Sequence, residues 1–315
     1  MAPTEKPTIG WIGTGRMGAA LATRLLDAGY DLAVYNRTRS KAEPLAAKGA
    51  TLVDRPVDLA DRDVVFIMVS ASRDLEAVTT GEGGVLTDPS VAPRIIVDSS
   101  TVSPETSAEI RAAAAARGSE FLATPVSGNP KVISSGKLTV AVSGPREAFD
   151  RVEPLLRALG RGVTYVGDGE LARLVKIAHN VFLGVVIQSL VEVTVLAERG
   201  GVSRAVFLEF LNDSVMGSAY TRYKSPALVN LDFHATFTNV LLNKDIELGL
   251  AAGRQLGVPM PIASATGMLV AEAIGAGYTD EDFATLLLEQ ARRSGYQVVS
   301  ENTPVDDGLA PETRS

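Results

Sequence analysis

The sequence predicts an α/β domain with a doubly wound, mainly parallel sheet, followed by an all-α domain. Three observations carry this. From Thr8 to Gly167, short β-branched runs alternate with helix-forming stretches, the order expected of βαβ units whose sheet is covered on both faces. At Gly167-Asp168-Gly169 the pattern changes, and apolar residues recur at three- and four-residue spacing as far as Gly200-Gly201. That reads as one long interdomain helix. Beyond it strand signals cease, and helical stretches broken by Gly, Pro and Asn run to Arg292. The expected divisions are 1–168, 169–300 and a loose tail over 301–315, rich in Asp, Pro, Glu and Thr.

Each element has its own warrant. Strands are expected at 9–12, 32–35, 64–69, 95–97, 120–122, 138–142 and 163–166, all short, apolar and bounded by turn or charged residues. Helices are expected at 17–28, 104–117 and 146–159, the second announced by Ser103 as a cap with Pro104 and Glu105 behind it. In the long helix, Leu171, Leu174, Val175, Ala178, Val185, Val186, Leu190, Val193 and Leu196 form the expected buried stripe. The apolar stretch 175–196 is interrupted by His179, Asn180, Gln188 and Glu192, whereas a spanning helix needs about 20 nearly uninterrupted apolar residues. A buried core helix is expected instead.

Composition narrows the function. In 315 residues there are no cysteines and two histidines, and the formal net charge is −7. Disulfides, thiolate metal sites and a cysteine nucleophile are excluded, and a multi-histidine metal site is disfavoured, so no metal is expected. The acidic balance favours neither nucleic acid nor an anionic membrane surface. The segment 1–7 has no apolar core of the kind a signal peptide requires. A cytoplasmic enzyme with a small-molecule partner is expected.

Gly13-Thr14-Gly15-Arg16-Met17-Gly18 is a G-x-G-x-x-G between the first strand and the first helix. In that context the first glycine permits the turn, the second admits a pyrophosphate to the backbone, and the third lets helix and strand pack closely. The first domain is therefore Rossmann-like and binds a dinucleotide. After the second strand stands Tyr35-Asn36-Arg37-Thr38. No carboxylate is present there for a ribose 2′-OH, while Arg37, with Asn36 and Thr38 as further donors, suits a 2′-phosphate. NADP is expected, with NAD less favoured. Two further strand ends, Val69-Ser70 and Ser99-Ser100-Thr101, read equally well as lining for the nicotinamide ribose or as ordinary Ser/Thr turns and caps.

The run Ile9-Gly10-Trp11-Ile12 into the glycine motif, then Asp98-Ser99-Ser100-Thr101, Pro125-Val126-Ser127-Gly128, Gly167-Asp168-Gly169 leading to Lys176 and Asn180, and finally Lys244-Asp245 together resemble the β-hydroxyacid dehydrogenase family. That family includes 3-hydroxyisobutyrate, glyoxylate/succinic semialdehyde and tartronate semialdehyde enzymes and is related to 6-phosphogluconate dehydrogenase. The resemblance covers about residues 8–295. It implies Lys176 as the catalytic lysine, Asn180 as a substrate-orienting amide, and Ser127, Gly128 and the adjoining Asn129 against the substrate carboxylate. It also implies Lys244 reaching the nicotinamide, with a homodimer or homotetramer as the assembly.

The chemistry of the residues points the same way. Hydride transfer at an alcohol carbon needs a group that takes or returns the hydroxyl proton, and an amine lowered from its usual pKa by burial serves. Lys176 and Asn180 are i and i+4 on one helix face. His179 reads as a core histidine. Tyr220, Arg222, Tyr223 and Lys224 form a polar and aromatic cluster facing a pocket, a partner or solvent. Two departures stand out. The loop after Gly128 reads Asn129-Pro130-Lys131-Val132 instead of further glycine and alanine, and Leu183 replaces the acid of sugar-phosphate decarboxylating relatives. An imine reductase-like activity and a catalytically silent nucleotide-binding module are the alternatives, and the lysine at 176 argues against both.

Overall fold

The computed structural model describes residues 6–309. The chain divides after Lys176 into two compact units, so the division falls inside the long helix. The first unit opens with β1 (Ile9–Ile12), α1 (Arg16–Asp27), β2 (Leu32–Tyr35), α2 (Glu43–Ala46) and β3 (Thr51–Leu52). Next come β4 (Val64–Ile67), α3 (Ser72–Thr79), β5 (Ile95–Asp98), α4 (Pro104–Ala116) and β6 (Glu120–Ala123). It ends with β7 (Val126–Ser127), α5 (Pro130–Ser134), β8 (Thr139–Ser143), α6 (Arg146–Leu159) and β9 (Gly162–Gly167).

The strands lie in the order β3-β2-β1-β4-β5-β6-β8-β7, with β9 also paired to β8. From β3 to β6 every pairing is parallel, β8 runs antiparallel to β6 and β7, and β9 is parallel to β8. Successive residues of each strand serve opposite faces. Ile9, Trp11, Val34 and Phe66 pack with Leu21 and Leu25 of α1 and Val152 and Leu156 of α6. Ile12, Ala33, Val65 and Ile67 pack on the other side with Leu75 of α3 and Ile110 and Ala114 of α4. Trp11 stacks on Phe66 with ring centroids 5.4 Å apart. The register sets Ile12 beside Tyr35 on one side and Ile67 on the other, so three strand ends open at one level.

Short elements are where the sequence reading departs from the structure. β3 and β7 have two residues each, too few to show a period of two. The strand expected over 64–69 ends at Ile67, because after the Met68 N–H bonds the Ile12 carbonyl the Val69 N–H turns to the Ser100 hydroxyl instead of a strand carbonyl. The loop after Gly128 folds into α5, capped by the Asn129 side chain.

In the second unit α7 (Leu171–Arg199), which crosses the division, is followed by α8 (Arg204–Asp213), α9 (Ala219–Asn230), α10 (Asn239–Leu256), α11 (Pro261–Gly275) and α12 (Leu286–Arg293). Ile187, Val191 and Val195 of α7 join Leu208, Leu228, Leu242, Ile246, Val270 and Leu287 in one core. The buried face of α7 is not the expected stripe. Leu171, Leu174, Val175, Val193 and Leu196 are exposed, Leu196 to 71%. The helix is apolar nearly all round, so spacing alone does not choose between its faces. By length and composition α7 would also cross a membrane, but half of its apolar window is buried within the chain.

The cluster at 220–224 belongs to α9, and of the alternatives left open for it solvent does not hold for Lys224, which is buried in an ion pair with Asp282 at 2.5 Å. The start of the expected loose tail is also fastened. Glu301 accepts hydrogen bonds from the backbone N–H groups of Arg204 (2.6 Å) and Ala205 (3.1 Å), and Thr303 pairs with Asn230. Residues 310–315 of that tail lie outside the described residues.

Candidate active site

The carboxyl ends of β1, β2 and β4 enclose a cleft of about 350 Å³. It lies between β1 and β4, where the order of strands reverses, the place at which open α/β sheets take ligands. Gly13 turns there with φ +96°, and a Cβ would lie 2.1 Å from the carbonyl oxygen of Met68. A Cβ on Gly18 would lie 2.1 Å from the carbonyl oxygen of Gly13, so the third glycine allows α1 to pack against the turn. At Gly15 a Cβ would meet nothing within 4 Å. Gly15 begins α1 with no side-chain cap and no acid in the first turn.

The hydroxyl of Thr14 is buried with no hydrogen-bond partner among the described residues. An uncapped helix N-terminus, open backbone at Gly15 and an orphaned hydroxyl fit a diphosphate, and the residues present therefore fit a dinucleotide. Of the expected cofactor residues, Gly13, Gly15, Asn36, Arg37, Thr38, Val69 and Ser70 line the cleft. Arg16, Met17 and Gly18 do not; Met17 packs against the core beneath α1.

Asn36 also has a bracing role that its residue type did not reveal. Its Oδ1 accepts a hydrogen bond from the N–H of Thr14 at 2.8 Å, and its Nδ2 donates to the carbonyl of Thr38 at 2.8 Å. The side chain ties the glycine turn to the end of β2 while lining the cleft. Arg37 is 84% exposed, and its guanidinium sits 3.0 Å from the carboxylate of Asp74. Asp74, Lys41 and Glu82 also line the cleft, with Ala77 and Val78 supplying an apolar wall. None of these was foreseen; the i, i+3, i+4 spacing of 74, 77 and 78 on α3 was the available signal, but α3 itself was not expected.

At the end of β5 the correction concerns Ser100. It is buried, its Oγ accepts from the N–H of Val69 at 2.9 Å, and its own N–H donates to Asp98 at 3.0 Å. Asp98 is fully buried and paired with Arg173 at 2.6 Å, and Arg173 donates to the Ser100 carbonyl at 2.8 Å. Ser100 and the N–H of Val69 thus brace the strand ends, while Thr101 is exposed. Arg173 went unremarked in the sequence because its partner lies 75 residues away.

Ser127 is half-buried at the end of β7, Gly128 is exposed, and Asn129 Oδ1 accepts from the N–H of Val132 at 3.0 Å. Lys176 is half-buried on α7, with Asn180 one turn later and buried. α7 and α10 cross closely, since a Cβ on Gly249 would lie 2.1 Å from Val181. That crossing lets Asn180 Nδ2 donate to Asp245 at 2.5 Å, while Asn180 Oδ1 lies 2.9 Å from His179 Nδ1. His179 is exposed at the helix surface, which corrects its reading as a core residue. Lys244 pairs with Asp245 at 3.4 Å.

Residues 8–167 match the family model described as the NAD binding domain of 6-phosphogluconate dehydrogenase, and residues 170–289 match that described as the NAD-binding of NADP-dependent 3-hydroxyisobutyrate dehydrogenase. An uncharacterised oxidoreductase of Bacillus subtilis is 33% identical over 88% of this chain and 97% of its own length. The 2-(hydroxymethyl)glutarate dehydrogenase of Eubacterium barkeri is 29% identical over 92% of this chain and 97% of its own. The crystal structure of a 3-hydroxyisobutyrate dehydrogenase from Salmonella typhimurium superposes with a TM-score of 0.79 at 27% identity, covering 90% of this chain and 99% of that one. With the nucleotide cleft described above and two family models spanning both units, this chain belongs to the β-hydroxyacid dehydrogenase family of NAD(P)-dependent enzymes.

Proposed function

We propose that this oxidoreductase uses NADP(H) to interconvert a small aldehyde or keto acid and its β-hydroxy acid, with Lys176 moving the proton. The observation that carries the cofactor preference is Arg37, set on the cleft at the end of β2 where no β2 carboxylate stands. A guanidinium there matches a 2′-phosphate in charge and in planar donor geometry. The description of the second family model, which names an NADP-dependent enzyme, supports the same choice.

When bound, the nicotinamide supplies or accepts the hydride. The protein's part is binding, orientation and the proton. In the reducing direction the Lys176 ammonium would donate a proton to the carbonyl oxygen, and in the oxidising direction the free amine would take it from the hydroxyl. Asn180, held by Asp245, has its amide orientation set before substrate arrives. Ser127, Gly128 and the Nδ2 of Asn129, whose Oδ1 is committed to the helix cap, would receive the substrate carboxylate.

The test follows NADPH oxidation with glyoxylate, succinic semialdehyde, tartronate semialdehyde and methylmalonate semialdehyde. Lys176→Ala is expected to lower kcat by at least about 100-fold, and full activity in that variant would remove the lysine assignment. Arg37→Ala is expected to weaken NADPH far more than NADH, and equal losses would remove the NADP assignment. A cyclic imine reduced faster than every aldehyde would favour imine reductase-like chemistry instead.

A further inference from the structure

The end of β2 offers a 2′-phosphate no opposing charge, yet the folded cleft does. Four charged side chains line it: Arg37 and Lys41 from the β2 side, Asp74 from α3, and Glu82 beyond α3. Asp74 projects from the first turn of α3, on the same side of that helix as Ala77 and Val78, which form the apolar wall. Its carboxylate is 18% exposed and lies 3.0 Å from the Arg37 guanidinium. The carboxylate that β2 lacks is thus supplied across the cleft from another element, and it already holds the one arginine suited to a phosphate.

We infer that Asp74 is a cofactor-specificity residue of this site, acting against Arg37. A 2′-phosphate carries nearly two negative charges and must share the Arg37 guanidinium with Asp74, or displace it, while lying near that carboxylate. Both effects oppose NADPH. A ribose 2′-OH meets no such repulsion, and a carboxylate on that wall is an acceptor for it, the role an acidic residue at the end of β2 plays in NAD-binding domains. Asp74 therefore narrows the preference that Arg37 creates, and leaves NADH a usable second cofactor. This inference rests on the reading of Arg37 as the phosphate ligand.

The test is a fluorescence titration of the purified full chain with NADPH and with NADH, comparing wild type, Asp74→Asn and Arg37→Ala. Both side chains sit at the cleft surface, so thermal melts are expected to coincide with wild type and confirm folded protein. In Asp74→Asn the ratio of the NADH to the NADPH dissociation constant is expected to rise by about tenfold, because the substitution removes one carboxylate charge whose repulsion of the phosphate is largely screened by solvent at this exposed cleft. A rise of threefold or more supports the assignment. Any smaller rise, or a fall, overturns it. Arg37→Ala separates this from the underlying reading: equal weakening of both cofactors in that variant sinks the phosphate-ligand assignment whatever Asp74→Asn does. Selective loss of NADPH there, with an unmoved ratio in Asp74→Asn, sinks the Asp74 inference alone.

Discussion

At Gly15 a methyl group would meet no atom within 4 Å, whereas at Gly18 it would press 2.1 Å from the carbonyl of Gly13. The two glycines look alike in the motif but answer to different constraints, one toward a ligand and one toward the fold. Gly15→Ala is expected to melt within a few degrees of wild type and to bind NADPH at least about tenfold more weakly, because the methyl enters the space the diphosphate needs. Gly18→Ala is expected to lose about 1–3 kcal/mol of stability through forced overpacking. Thermal melts beside NADPH titrations distinguish them, and a Gly15→Ala protein with unchanged affinity would argue that the diphosphate does not cross Gly15. Asn36 makes a similar point. Its Oδ1 is taken by the Thr14 N–H and one Nδ2 hydrogen by the Thr38 carbonyl, each at 2.8 Å, so the same amide braces the fold and lines the cleft.

Between elements, the decisive contacts join residues far apart in the chain. Asp98 at the end of β5 and Arg173 on the first turns of α7 form an ion pair with side-chain exposures of 0% and 3%. Arg173 also bonds Glu170 and the carbonyl of Ser100, so the pair seats the start of α7 against the strand end. Removing one member of such a pair strands the other charge, while replacing both removes the penalty. Arg173→Met is therefore expected to cost about 3–5 kcal/mol, with Asp98→Asn added to it recovering a large part. Urea unfolding of the single and double variants measures this, and a double variant no more stable than Arg173→Met would show that the pair contributes more than mutual neutralisation. The two-residue strands and the five-residue α5 belong to this scale too. They form because neighbouring strands and the Asn129 cap hold them, which no local period records.

Across the molecule, each unit has its own core, and the helical one encloses an ion pair. Burial pushes the Asp282 carboxyl up, but Lys224, the Thr236 hydroxyl and the Ala284 N–H together hold it below its ordinary value of 3.8. A carboxyl depressed on folding contributes stability that is present above the unfolded value and is lost as pH falls through the lower folded one. Acid should therefore weaken the helical unit below about pH 3.8. Replacing both partners, Lys224→Met with Asp282→Asn, avoids a stranded buried charge and is expected to flatten the fall in melting temperature between pH 5 and pH 3. An equally steep fall in the double variant would place acid sensitivity elsewhere.

Local signals carried the fold class. β1, β2 and α6 were legible to the residue, as was the glycine turn with Arg37 behind it, because periodicity and turn chemistry act within a few residues. The buried face of α7 was not, since Phe182, Val193 and Leu196 are as apolar as the residues that pack. The sequence by itself determined a nucleotide-binding sheet, a helical second unit and the absence of a carboxylate after β2. Only the tertiary structure decided that Asp74 faces Arg37, that Arg173 holds Asp98 and that Ser100 braces Val69. Those pairings depend on strand register and on which helix lies against which sheet edge, and such distances are set by the packed whole.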